Sequence, residues 1–211
     1  MNLLVESSNS DTGNAPRMVE GGLSGDETFP VVGVNTLGVM HVLVPDGGTF
    51  RDRVVEAAAT LREDTDCPAT TGGPPPGGFC DEVASCSFHR QGMVQPSDWA
   101  MARTADRRVW LAWVAVEQSG TARVTRRCGG PGCVCVREDL TTTGGSVVHL
   151  AEVTATGVVE RFSGTVSATV GIGGPNVSMG ATGNTLHLGM ALGGTGGLDL
   201  RYLAMSTAGL R

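Results

Sequence analysis

The sequence contains no lysine; all fifteen of its basic residues are arginine. That bias fits a GC-rich genome better than any physical demand, and it carries no mechanism. Other shortages exclude more. No run of eighteen apolar residues exists, so the sequence offers no helix long and apolar enough to span a bilayer. Aromatic residues make up only 4% of the chain. A transmembrane β-barrel built from the C-terminal strands would want aromatic girdles and at least about eight strands, and only Phe162 and Tyr202 could supply the rings there. Charged residues are sparse at 17%, but 40% of the chain is hydrophobic, which is the composition of a globular protein. A net charge of −6 and a pI near 5.1 disfavour a polyanionic main partner, because counterion release needs a positive surface.

Catalytic signatures are missing too. There is no G-x-S-x-G elbow and no C-x-x-C redox motif. Ser85, Cys86, Ser87 and His89 are adjacent in SCSFH, which reads as a staple cysteine among small polar residues rather than a triad. His149 and Glu152 fall on opposite faces of a strand, and His41 and His187 each sit alone in an apolar run. No catalytic set and no cofactor are expected.

What is present is glycine, 32 residues in 211, together with enough apolar side chain to bury a core. Residues 1–28, rich in Ser, Asn, Asp, Gly and Pro after a start that lacks the basic n-region of a secretory signal, read as a flexible tether. Such a tether is of the kind that follows a removed signal or a lipidated cysteine. Residues 29–211 read as one mainly-β domain, divisible into an α+β part, 29–105, and an antiparallel β part, 106–211.

Within the first part, Phe29 to Val44 gives two β-rich runs and a hairpin signal around Asn35 to Gly38. Thr49 with Asp52 resembles a capping box, and Phe50, Val54, Ala58 and Leu61 share a helical stripe, so one main helix is predicted over about 50–63. A second, short helix is predicted over 97–104, with Ser97 as its cap. Between them, Cys67 to Gln95 shows no sustained period and is expected to be a loop stapled by cysteines.

From Arg108 onward the pattern is that of strands. Val109 to Glu117, VWLAWVAVE, is apolar on both faces and predicts a central strand covered on both sides, by the helix on one of them. Val166, Ala168, Val170 and Ile172 share one face, as do Leu186, Leu188, Met190 and Leu192. The fold class is therefore α+β, mainly β: an antiparallel sheet or β-sandwich with one main helix and a disulfide-stapled loop.

Six cysteines, Cys67, Cys80, Cys86, Cys128, Cys133 and Cys135, fit disulfides better than a metal or reduced thiols, because neither half of the set has zinc-ligand spacing. If CGGPGCVC is a hairpin tip, Cys128 faces Cys133 at disulfide distance. Cys135 points to the same face and must seek a partner among Cys67, Cys80 and Cys86. Arg123, Arg126, Arg127 and Arg137 would cluster on that hairpin as a possible anion or partner contact, although solvation of an exposed ribbon explains them as well. Glu63, Asp64 and Asp66 are a weak calcium candidate against the plainer reading of a solvated helix end; no other metal site is expected.

These features point to a non-catalytic extracellular, periplasmic or cell-surface protein, a structural, assembly or binding module whose Gly-rich C-terminal sheet meets a protein partner or a second copy. No nucleic acid and no membrane span are expected, while a lipid anchor on a removed N-terminus is compatible. A secreted hydrolase or ligand-binding enzyme on the same scaffold, and a zinc-binding cytoplasmic protein, are the alternatives.

Overall fold

The computed structural model describes residues 31–34, 40–46, 49–55, 61–68, 81–93, 99–129, 132–167, 176–194 and 197–210. The tether predicted over 1–28 lies outside them. The described residues form antiparallel β-structure: β1 (Val31–Val34), β2 (Met40–Asp46), β3 (Thr49–Val55), β4 (Arg62–Thr65), β5 (Val83–Gly92), β6 (Trp99–Arg103), β7 (Val109–Gly129), β8 (Gly132–Val153), β9 (Val158–Ser167), β10 (Asn176–Thr182), β11 (Thr185–Gly194) and β12 (Gly197–Ser206). A 3-10 turn, Thr207–Gly209, follows the last strand. No described helix is long and apolar enough to cross a membrane.

Three sheets result. The largest runs β4-β5-β7-β8-β9, with β6 also paired to β7; β1-β2-β3 and β10-β11-β12 form the other two. Strand β7 explains how they stack. Its residues alternate strictly: Val109, Leu111, Trp113 and Ala115 join a core with Met40, Val42 and Val55 of the N-terminal sheet. Trp110, Ala112 and Val114 point the other way into a core with Leu186, Leu188, Met190 and Leu192 of the C-terminal sheet. The double-faced apolar run is thus a central strand, and both of its covers are sheets. The hairpin expected near Asn35 is present as the β1–β2 pairing, Val34 opposite Met40.

Both predicted helices are overturned. Residues 49–55 are strand β3, with Val55 buried and Val54 half exposed, and its register brackets Gly47-Gly48 between Asp46 and Thr49. Asp-Gly-Gly between β-prone runs is a hairpin signal that outweighs the capping-box pattern. Ala57 to Ala59, the strongest helix formers in the segment, lie outside the described residues. Residues 99–103 are likewise strand β6, held in register with β7 from Trp99–Trp113 to Arg103–Val109. The expected loop from Cys67 to Gln95 contains a ten-residue strand, β5, in which buried Cys86 and Phe88 alternate with exposed Ser85, Ser87 and His89. Since β5 and β6 both pair with β7, the largest sheet is built from both sides of residue 105.

Candidate functional site

The hairpin of β7 and β8 is far longer than the sandwich needs. It runs for 21 and 22 residues, whereas β9 accompanies β8 only from Ser146 to Val153 and β6 accompanies β7 only from Val109 to Trp113. From about Glu117 to the tip, the hairpin continues as an arm, flanked on the β7 side by β5 as far as Val124, with β4 beside β5. From Gly132 to Gly145, β8 has no other strand beside it among the described residues. Val134 and Leu140, on this stretch, are 56% and 46% exposed.

The arm has its own small core, Cys86, Phe88, Ala122 and Val124, with Cys67, Val83 and Cys135 packed against it. Cys67 is bonded to Cys86, joining the end of β4 to β5, and Cys128 to Cys133 across the tip, with Cα atoms 5.0 and 4.0 Å apart. The register sets Cys128 directly opposite Cys133. Cys135 is disulfide-bonded as well; Cys80 lies outside the described residues. The described cysteines therefore leave no thiolate for a metal. Among the described residues, the one grouping with ligand-like spacing, Asp66, Cys67 and Cys86, contains two sulfurs already bonded to each other.

Over Phe88 lies a closed ring of four charges. Glu63 accepts from Arg90 Nε and Arg137 Nη1, while Asp139 accepts from Arg90 Nη1 at 3.0 Å and Arg137 Nε at 3.1 Å. Both guanidiniums also stack on the Phe88 ring, 4.4 and 4.7 Å from its centre. Burial pushes the Glu63 carboxyl up, but hydrogen bonds from Arg137 and Arg90 outweigh it and hold the group below its usual range. Burial likewise pulls Arg90 down, and its bonds to Glu63 and Asp139 more than restore it.

The four arginines singled out from the sequence do not converge. Arg137 is locked in the ring, and Arg123 pairs with Glu138 at 2.6 Å on the opposite face of the arm. Arg126 receives Glu82 on its backbone N–H at 2.6 Å, and Arg127 is exposed. The calcium candidate is dispersed too. As part of strand β4, Glu63 and Asp64 point to opposite faces, Glu63 is taken by arginines, and Asp66 accepts the Ser87 N–H at 2.5 Å.

A second cluster was not foreseen. His149, buried on β8, stacks on Trp113 with ring centres 5.0 Å apart and planes 5° from parallel. Its Nδ1 lies 2.9 Å from Glu160 Oε2, and its Nε2 lies 3.5 Å from Glu117 Oε1, an ion-pair distance without hydrogen-bond geometry. Six positions along β7 from Trp113, on the same face of the sheet, His89 Nδ1 meets Ser119 Oγ at 2.9 Å. Glu152, on the other face as the alternation requires, binds Arg161 at 2.9 Å. His41 lies 2.9 Å from Asp52, and His187 Nδ1 lies 2.6 Å from the Tyr202 hydroxyl. Comparison with family models, with curated proteins and with solved structures finds no match.

Proposed function

We propose that the chain is a non-catalytic exported or cell-surface protein, acting as a structural, assembly or binding module. The arm carries this proposal. Its apolar core is four residues, so covalent bonds must hold what burial cannot, and such bonds persist in oxidising compartments. In the chain-entropy model the Cys67–Cys86 bond, spanning 19 residues, contributes about 3 kcal/mol, and the tip bond, spanning 5, about 2 kcal/mol. The same arm offers a partner what a strand-adding interaction needs: the open side of β8, with Val134 and Leu140 exposed beside it.

A secreted hydrolase or ligand-binding enzyme is the competing function, favoured by His149 between Glu160 and Glu117. Against it, the imidazole is stacked flat on Trp113 in the packed sandwich, where substrate would have to displace core. Intact mass of the protein isolated from its own cells without reductant is the test. Three disulfides leave the mass about 6 Da below that of the reduced chain. Six thiols open to alkylation in the isolated protein would overturn the exported proposal in favour of a cytoplasmic, zinc-binding one.

A further inference from the structure

The C-terminal sheet buries Leu186, Leu188, Met190 and Leu192, so the alternate positions of β10, β11 and β12 face away from the core. None of those outward positions is Asp, Glu or Arg, on a chain whose net charge is −6. Small side chains make up much of this surface, with Ser178 and Gly180 on β10 and Ala191 on β11 among its members. Two side chains stand above it. Leu200 and Tyr202 of β12 are 76% and 69% exposed, more than any other large hydrophobic residue described. Tyr202 is already held in place, its hydroxyl on His187 Nδ1 at 2.6 Å and its ring stacked 6.1 Å from the imidazole, so covering it would freeze little side-chain motion.

We infer that this face is a self-association surface, meeting the same face of a second copy of the chain. Charge selects that occupant. A nucleic acid or an anionic membrane needs cations, which the face lacks. Two copies of a chain with net charge −6 repel one another on approach, and an uncharged face is where they meet without opposing like charges. A two-fold contact must also be self-complementary, which small residues beside one exposed Leu–Tyr pair satisfy by offsetting each pair against the partner's small residues. Sheet-on-sheet packing is already how this sheet's inner face is buried.

Size sets the strength. Strands of 7, 10 and 10 residues give a face of roughly 14 by 24 to 34 Å, about 350 to 480 Å², well below the ~800 Å² per partner of a standard stable interface. The association is therefore weak and concentration-dependent. It involves no part of the arm, so it stands or falls separately from the exported function.

Sedimentation equilibrium on the oxidised full chain, from low micromolar to millimolar, tests it. The weight-average mass is expected to rise above 21.7 kDa with concentration. Leu200→Glu and Gly180→Arg each bring two like charges together across a two-fold contact, and each should weaken association at least about tenfold. Both positions are exposed, and a side chain at Gly180 meets nothing within 4 Å. Unchanged emission from buried Trp110 and Trp113 identifies the variants as folded. Wild-type protein that stays at 21.7 kDa throughout, or folded variants that associate as well as wild type, would overturn the inference. So would a monomer that co-pellets with insoluble polysaccharide unless Leu200 is changed, which would assign the face to carbohydrate.

Discussion

A methyl group at position 120 would stand 2.7 Å from the Phe88 ring and collide with the Thr141 carbonyl. Glycine there lets Phe88 lie close on the sheet, and Phe88 in turn is the platform for Arg90 and Arg137. Gly120→Ala is therefore expected to destabilise the protein by about 2 kcal/mol, the cost of forcing extra volume into a packed site. Gly157→Ala, where the new methyl meets nothing within 4 Å, should stay within about 0.5 kcal/mol of wild type. Urea unfolding of the two variants measures the contrast, and equal losses would show that the Phe88 contact is not tight.

The charge ring above Phe88 makes a second prediction at this scale. The Glu63 carboxyl is held below its usual 4.5 because the hydrogen bonds from Arg137 and Arg90 overcome its burial. A folded-state value below the unfolded one means that Glu63 stabilises the protein fully above about pH 4.5 and loses that contribution as pH falls through the folded value. Wild type should accordingly be more stable than Glu63→Gln at neutral pH, and the difference should shrink on acidification below 4.5. A difference in unfolding midpoint that is constant from pH 7 to pH 3 would show that the ring contributes nothing through this proton.

Among the elements, β7 was the most legible, because a strand buried on both faces writes its position as an unbroken apolar run. The tip was legible for a geometric reason: residues flanking a tight hairpin turn must face each other, which places Cys128 opposite Cys133. β3 and β6 were not, since short segments containing Ala, Val and Trp satisfy helical and strand spacing together, and only pairing with β2 or β7 decides between them. The His149 cluster was hidden for a related reason. Glu160 reaches His149 across the β8–β9 pairing, whose register shifts between Leu150 and Ala151, and no spacing along one strand encodes that shift.

Two of the arm's disulfides, Cys67–Cys86 and Cys128–Cys133, should differ when removed. Replacing Cys128 and Cys133 by serine opens a bond of sequence separation 5 at an exposed tip. Replacing Cys67 and Cys86 opens one of separation 19 and puts a hydroxyl where Cys86 is 6% exposed in the small core. The first double variant should lose about 2 kcal/mol and the second about 3 kcal/mol or more. Denaturant titration of oxidised protein gives the order, and a larger loss at the tip would mean that the hairpin end, rather than the β4–β5 junction, organises the arm.

For the whole molecule, stability is divided between two kinds of bonding. Neither apolar core of the sandwich contains a cysteine, whereas the arm's core contains Cys86 with Cys67 and Cys135 packed against it. Among the described residues the sandwich cores are thus held without disulfides, by burial that includes Trp110 and Trp113, both at most 1% exposed. Reduction should then separate the two. In a dithiol reductant, which is itself oxidised to a cyclic disulfide as each protein disulfide becomes two thiols, amide protection is expected to disappear from β4, from β5 and from the tip halves of β7 and β8. Amides of Val109 to Val116, Val147 to Ala151 and Leu186 to Leu192 should keep theirs, and tryptophan emission should remain that of a buried indole. Because β7 and β8 pass from one region into the other without a break, the boundary should fall near Glu117 and Gly145, where the sandwich cores end and the arm begins. Protection lost everywhere at once on reduction would mean that the arm and sandwich fold as one unit and that the disulfides stabilise all of it.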